Sequence, residues 1–129
     1  RLLSGGRILM ARILVVEDNP TIGMVIKMAL TDKGHQVEIM GSAQEGLNHM
    51  ENGEIPDLVF TDLNLKGMNG RELIKRMRSN QRLNHIPTVI ITGNVPSPDI
   101  LPHKEEYQGL LIKPFDLDDV IGTVSKLIS

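Results

Sequence analysis

Hydrophobic residues gather along this chain into five short runs at fairly even spacing: residues 13–16, 37–40, 58–60, 89–91 and 110–112. Each run is nearly continuous rather than alternating, the pattern of a strand buried on both faces of a parallel sheet. Helical periodicity fills the gaps. Pro20 suits a first helical turn, Ile22, Val25, Ile26 and Ala29 fall on one face after it, and Gly34 is placed to end the helix. Ser42 and Glu45 form a capping-box pattern for a helix that stops near Gly53. Residues 69–79 carry Leu73, Ile74 and Met77 on one face, and Asp116 can cap a helix striped by Leu117, Val120, Ile121, Val124, Leu127 and Ile128. Between the fourth and fifth runs, Pro96, Pro98 and Pro102 interrupt the pattern, because proline removes a donor and clashes inside a helix. A loop to about Pro98 and a short helix over residues 99–107 are predicted there.

Strand and helix therefore alternate five times, which predicts one doubly wound α/β domain with a parallel sheet. The length of 129 residues suits one domain able to bury a core without disulfide or metal staples. Residues 1–9 are short and unpatterned in their polar part. They are expected to be an upstream tail, with Met10 as the native start and residues 10–129 as the domain. Cysteine is absent, which excludes thiolate metal sites and cysteine catalysis and fits a reducing, cytoplasmic setting. A net charge of −2 leaves no basic surplus to drive direct nucleic-acid binding. No apolar run approaches the roughly 20 residues of a membrane span. With no tryptophan, one tyrosine and two phenylalanines, base-stacking platforms are also disfavoured.

In open α/β sheets, sites form at the carboxyl ends of the strands. The first run ends in Glu17 and Asp18, the third in Asp62, the fourth in Thr92 and the fifth in Lys113. Three carboxylates, a hydroxyl and an ammonium would thus meet on one rim. Two carboxylates about 4 Å apart repel by roughly 4 kcal/mol at an effective dielectric near 20. Three cannot all stay ionised without compensation. Lys113 supplies one positive charge, and a hard dication with oxygen ligands supplies the rest; Mg²⁺ suits carboxylates combined with phosphate oxygens. The same set is what phosphoryl transfer to a carboxylate requires.

Four segments, ILVVEDNP (residues 13–20), LVFTDLNLKGMNG (58–70), IITG (90–93) and LIKPF (111–115), resemble the receiver domains of bacterial response regulators in order and spacing. The resemblance covers residues 11–128. It implies a flavodoxin-like three-layer sandwich with strand order 2-1-3-4-5. It implies Asp62 as the phosphoacceptor, with Mg²⁺ (or Mn²⁺) held by Glu17, Asp18, Asp62 and the backbone carbonyl of Asn64. It further implies Thr92 and Lys113 on the phosphoryl group, a cis Lys113–Pro114 peptide, and Gly93 and Asn94 as accessory residues, Asn64 and Asn94 flanking the path of attacking water. Implied partners are a sensor histidine kinase or a histidine phosphotransfer protein, and a downstream protein or output domain. The sequence offers no output module after its last stripe, so a stand-alone receiver and a piece of a larger regulator or hybrid kinase both fit. Two departures bear on signalling: the segment after Thr92 is proline-rich, and Leu110 stands where many receivers place an aromatic that swings inward on phosphorylation.

Taken singly, each of these residues has an ordinary explanation, as a helix-capping acid, a loop acid, a strand-end threonine or a turn lysine. Only their joint spacing argues for a site. His35, His49, His85 and His103 show no paired ligand spacing and are expected on the surface. The methionines are expected to fill the core, and residues 75–78 (KRMR) to form a solvated helix face. Two other functions remain to be weighed. A phosphorylation-independent pseudo-receiver would act only as a protein-interaction module. A haloacid-dehalogenase-type phosphatase normally carries a second aspartate two residues after its nucleophile, where this chain has Asn64, so turnover of a separate substrate is not expected.

Overall fold

The computed structural model describes residues 3–4, 7–8, 10–93 and 96–128. Five strands form one parallel sheet: β1 (Arg12–Val16), β2 (Gln36–Met40), β3 (Leu58–Asp62), β4 (Thr88–Thr92) and β5 (Gly109–Ile112). Their spatial order is β2-β1-β3-β4-β5, the predicted 2-1-3-4-5 topology. Helices α1 (Pro20–Asp32), α2 (Ala43–Asn52), α3 (Gly70–Arg78) and α4 (Leu117–Ile128) cover its two faces. In the N-terminal segment expected to be an unpatterned tail, Leu3–Ser4 pairs with Arg7–Ile8 in a short antiparallel ladder.

Helix boundaries follow local chemistry. The Asn19 side chain caps α1 by accepting the Thr21 and Ile22 N–H groups. Beyond the other end of α1, Gly34 takes φ +92, a left-handed conformation that glycine adopts at low cost. The Ser42 hydroxyl accepts from the Glu45 N–H and donates to its carboxylate, and Asn69 caps α3 through the Glu72 N–H. At α4, the Asp116 carbonyl accepts from Asp119 and Val120, while its N–H donates to the Asp119 carboxylate.

On one face, Ile26 and Leu30 of α1 and Val120, Val124 and Ile128 of α4 pack on Ile13, Val15, Phe60, Val89 and Ile91. On the other, Leu47 and Met50 of α2 and Leu73 and Met77 of α3 pack on Leu14, Val16 and Val59. Strand β3 and β4 are buried at every position, as their unbroken apolar runs predict. The outermost strands alternate in burial instead, because each has a neighbour on one side only and incomplete helical cover.

The helix expected over residues 99–107 is not formed. A turn and a single 3₁₀ turn at Lys104–Glu106 stand in its place. Pro98 and Pro102 divide the segment below the length at which a helical nucleus repays its entropy. Leu110 and Ile112, on the sheet face that this helix would have covered, are left 38% and 39% exposed.

Candidate functional site

Four of the five strands, β1, β3, β4 and β5, each deliver part of a cluster at their carboxyl ends. The Glu17 N–H donates to the Met40 carbonyl at 3.0 Å, which carries the β1–β2 ladder one residue past β1 and fixes where its carboxylate starts. Asp62 is the last residue of β3 and is 4% exposed, although it is an acid. Thr92 closes β4 and is also buried; the register pairs Asp62 with Ile91, one residue before it. Lys113 follows β5, its N–H donating to the Thr92 carbonyl at 2.7 Å. The Lys113–Pro114 peptide is cis.

Carboxylate oxygens of Glu17, Asp18 and Asp62 lie within 4.8 Å of one another. The Lys113 ammonium reaches into this group, 2.7 Å from Asp62 Oδ2 and 2.9 Å from Glu17 Oε1. The other oxygen of Asp62, Oδ1, accepts the Asn64 backbone N–H at 2.9 Å, so both oxygens of the carboxylate are held. Glu17 Oε2 accepts the Asn19 N–H at 3.2 Å, so the residue that caps α1 also orients the glutamate. Asp18 is exposed at the mouth of the cluster.

The charges pull against one another. Burial pushes the Glu17 carboxyl above its ordinary value and outweighs the lowering effect of Lys113 and the Asn19 N–H, with Asp62 adding repulsion. Burial alone would lower the Lys113 ammonium, but its hydrogen bond to Asp62 and its pairing with Glu17 hold it above the usual lysine value. Glu17 Oε1 is buried and receives no well-directed hydrogen bond; the lysine is near it but poorly aligned. A buried carboxylate oxygen with only a poorly aligned ammonium against it, beside two more acids, fits a hard divalent ion.

The predicted Glu17, Asp18, Asp62 and Lys113 are thus brought together, and Thr92 stands at the adjacent strand end. Asn64 contributes something that sequence reasoning missed, an N–H that aims Asp62. Gly93 is exposed, Leu110 is partly exposed on β5, and Asn94 lies outside the described residues. No histidine joins a metal-type cluster among the described residues. Three expectations need correction. Met24 and Met28 of α1 do not fill the core but stand 51% and 65% exposed. Arg78 is not part of a solvated face: it is half-buried and donates to the carbonyls of Glu106, Leu83, Asn84 and Ile86, to Thr88 Oγ1 and to Gln108 Oε1. His35 is half-buried, and its Nδ1 accepts the Ala11 N–H at 3.0 Å. Neither partnership has a signal in local sequence, since Arg78 donates mostly to backbone carbonyls and His35 accepts from a backbone N–H on a distant stretch.

Comparison with known proteins bears on the family and the fold. The family described as "Response regulator receiver domain" matches residues 13–125. The virulence transcriptional regulatory protein PhoP of Salmonella typhimurium (strain LT2) is 31% identical over 123 residues, covering 92% of this chain and 52% of that protein. The transcriptional regulatory protein PhoP of Escherichia coli K12 is 31% identical over 121 residues, with 91% and 52% covered. The chain therefore spans about half the length of these curated relatives. Among solved structures, a receiver domain from Clostridium thermocellum superimposes with a TM-score of 0.81 at 30% identity, covering 92% of this chain and 94% of that one. Chemotaxis protein CheY4 of Vibrio cholerae gives 0.80 at 27% identity, with 92% and 98% covered. No helix among the described residues is long and apolar enough to cross a membrane. With a family match across nearly the whole sheet and its acidic rim, the chain belongs to the receiver domains of two-component response regulators.

Proposed function

We propose that this receiver domain takes a phosphoryl group onto Asp62 from a phosphohistidine on a sensor histidine kinase or a histidine phosphotransfer protein, in the cytoplasm. The observation that carries the reading is the buried Asp62 carboxylate, gripped by Lys113 on one oxygen and by the Asn64 N–H on the other, beside two further acids. A carboxylate oxygen attacks phosphorus, the bond from phosphorus to the donor nitrogen breaks, and the electron pair stays on the imidazole. Little covalent chemistry is left for the protein, so positioning and charge stabilisation do most of the catalysis.

Glu17, Asp18, Asp62 and the Asn64 carbonyl would hold Mg²⁺ or Mn²⁺, which when bound neutralises charge on the transferring phosphoryl oxygens. Lys113 supplies an ammonium and Thr92 a hydroxyl to those same oxygens. An open groove of about 400 Å³, lined by Thr21, Ile22, Val25, Lys113, Pro114 and Phe115, runs alongside. A protein donor seated in that groove would meet Lys113, which ion-pairs with Asp62. The phosphorylated domain then changes its contacts with a downstream protein or an attached output module, without turning over a separate substrate.

The test is intact-mass analysis after incubation with acetyl phosphate and Mg²⁺. One phosphoryl group, removable by hydroxylamine as an acyl phosphate should be, is expected on the native chain and absent from Asp62→Asn. Equal labelling of both proteins would sink the reading.

A further inference from the structure

The phosphoacceptor segment ends in a glycine to which neither the cation nor the phosphoryl chemistry assigns a part. Gly70 opens α3 and is buried. Its N–H donates to the Leu63 carbonyl at 3.1 Å, closing the loop that starts at Asp62. A Cβ on Gly70 would run into the Asp62 carbonyl oxygen and lie 2.9 Å from both the Asp62 carbonyl carbon and Leu63 Cα. These are backbone atoms, which cannot swing aside as the end of a side chain can. Gly34 and Gly67 are the glycines with positive φ among the described residues, so the demand at Gly70 is for space and not for an unusual conformation. The first turn of α3 therefore rests directly on the peptide unit joining Asp62 to Leu63.

We propose that Gly70 is a positioning residue for the phosphoacceptor, on the reading of Asp62 given above. The Asp62 carboxylate is aimed by its own backbone and by the Asn64 N–H at 2.9 Å, and both belong to the loop that Gly70 closes. Any side chain at position 70 drives the Asp62–Leu63 peptide away from the helix. That displaces the carboxylate relative to Lys113, which approaches from β5 and does not move with it. In-line attack is sensitive to such shifts: a displacement of about 1 Å can cost on the order of a hundredfold in rate.

The experiment compares Gly70→Ala with Gly53→Ala in the full chain. A Cβ at Gly53 meets the His49 carbonyl oxygen at 2.8 Å, a milder backbone clash at the far end of α2 from the site, and so, compared at matched folded fraction, controls for backbone displacement away from the site. At matched folded fraction, Gly70→Ala should slow Mg²⁺-dependent labelling by acetyl phosphate about a hundredfold, and Gly53→Ala should keep the native rate. In metal-free protein, the backbone amide resonance of Asn64 should shift in Gly70→Ala and not in Gly53→Ala. Native labelling by Gly70→Ala, or equal slowing by both variants, overturns the proposal. Should Gly70→Ala not fold, Asn69→Ala decides. It removes the α3 cap, loosens the same seat, and should both slow labelling and shift the Asn64 amide; no change in either overturns the proposal. A native chain that takes no phosphoryl group refutes the functional reading instead, while the Asn64 amide still reports whether Gly70 sets Asp62.

Discussion

At the scale of single residues, Lys113 and His35 show how one proton or one charge is made to matter. Lys113 sits between two acids, its ammonium 2.7 Å from Asp62 and 2.9 Å from Glu17, beside Asp18. Replacing it by methionine removes a cation that competes with a metal, and also removes a donor to the transferring group. Lys113→Met should therefore bind Mg²⁺ at least as tightly in calorimetry, yet label with acetyl phosphate about 10²- to 10³-fold more slowly, the usual cost of one lost transition-state donor. Parallel loss of both would mean that the lysine serves only the fold. His35 accepts the Ala11 N–H through Nδ1, which only the neutral ring can do, and burial holds its imidazole below the ordinary 6.5. The unfolded chain then takes up the proton first as pH falls. The contribution is fully present above the ordinary value and is lost as pH drops from there through the folded value. From about pH 7.5 to about pH 5.5 the urea midpoint of the native chain should fall relative to that of His35→Gln, which lacks this part of the slope. An unchanged slope in the variant would show that His35 is not the group responsible.

Secondary-structure elements were legible in proportion to how much of their reason lies in adjacent residues. Strands β3 and β4 read directly from their runs because they are buried on both faces. The cap at Ser42 reads from one side chain and a spacing of three. The acids and the lysine of the site were legible because each ends an apolar run. By contrast, the Asn64 N–H and the space at Gly70 are properties of backbone, which side-chain identity does not encode. The segment after β4 was misread as helical because local polarity and length permitted a helix, while the contacts that organise it come from α3. Arg71 donates to the Asp99 carbonyl at 2.7 Å and Arg78 to the Glu106 carbonyl at 2.9 Å, so two arginines on one short helix hold both ends of the segment. Arg78 carries the larger share, since it also satisfies Leu83, Asn84, Ile86, Thr88 and Gln108. Arg78→Ala should cost about 2–3 kcal/mol by urea titration, because several half-buried acceptors lose their donor at once. Amide exchange should accelerate over residues 104–108 first. A variant within about 0.5 kcal/mol of the native chain, the range of ordinary surface substitutions, would mean that water replaces the guanidinium without loss.

For the molecule as a whole, the acidic rim sets site against stability. Glu17 is 2% exposed, and burial raises its carboxyl above the ordinary value despite Lys113 and the Asn19 N–H. A carboxyl raised in the folded state favours folding at low pH, that advantage is lost as pH rises through the folded value, and keeping the buried group ionised costs stability. The rest of the fold, with its two apolar layers packed on the sheet, must offset this cost. Glu17→Gln keeps the shape and removes the charge. Without divalent cation it should therefore melt higher than the native chain at neutral pH. With Mg²⁺ the order should change, because a ligand that binds only the folded state stabilises it by about 2.7 kcal/mol at a hundredfold excess over its Kd. The native chain gains this fully, and the variant, short of one carboxylate, gains much less. Melting curves of both proteins with EDTA and with saturating Mg²⁺ give the four values needed. If the native chain melts higher in EDTA, the buried charge is better compensated by Lys113 than its poorly aligned contact with Glu17 Oε1 implies; if Mg²⁺ raises both equally, Glu17 lies outside the cation's reach.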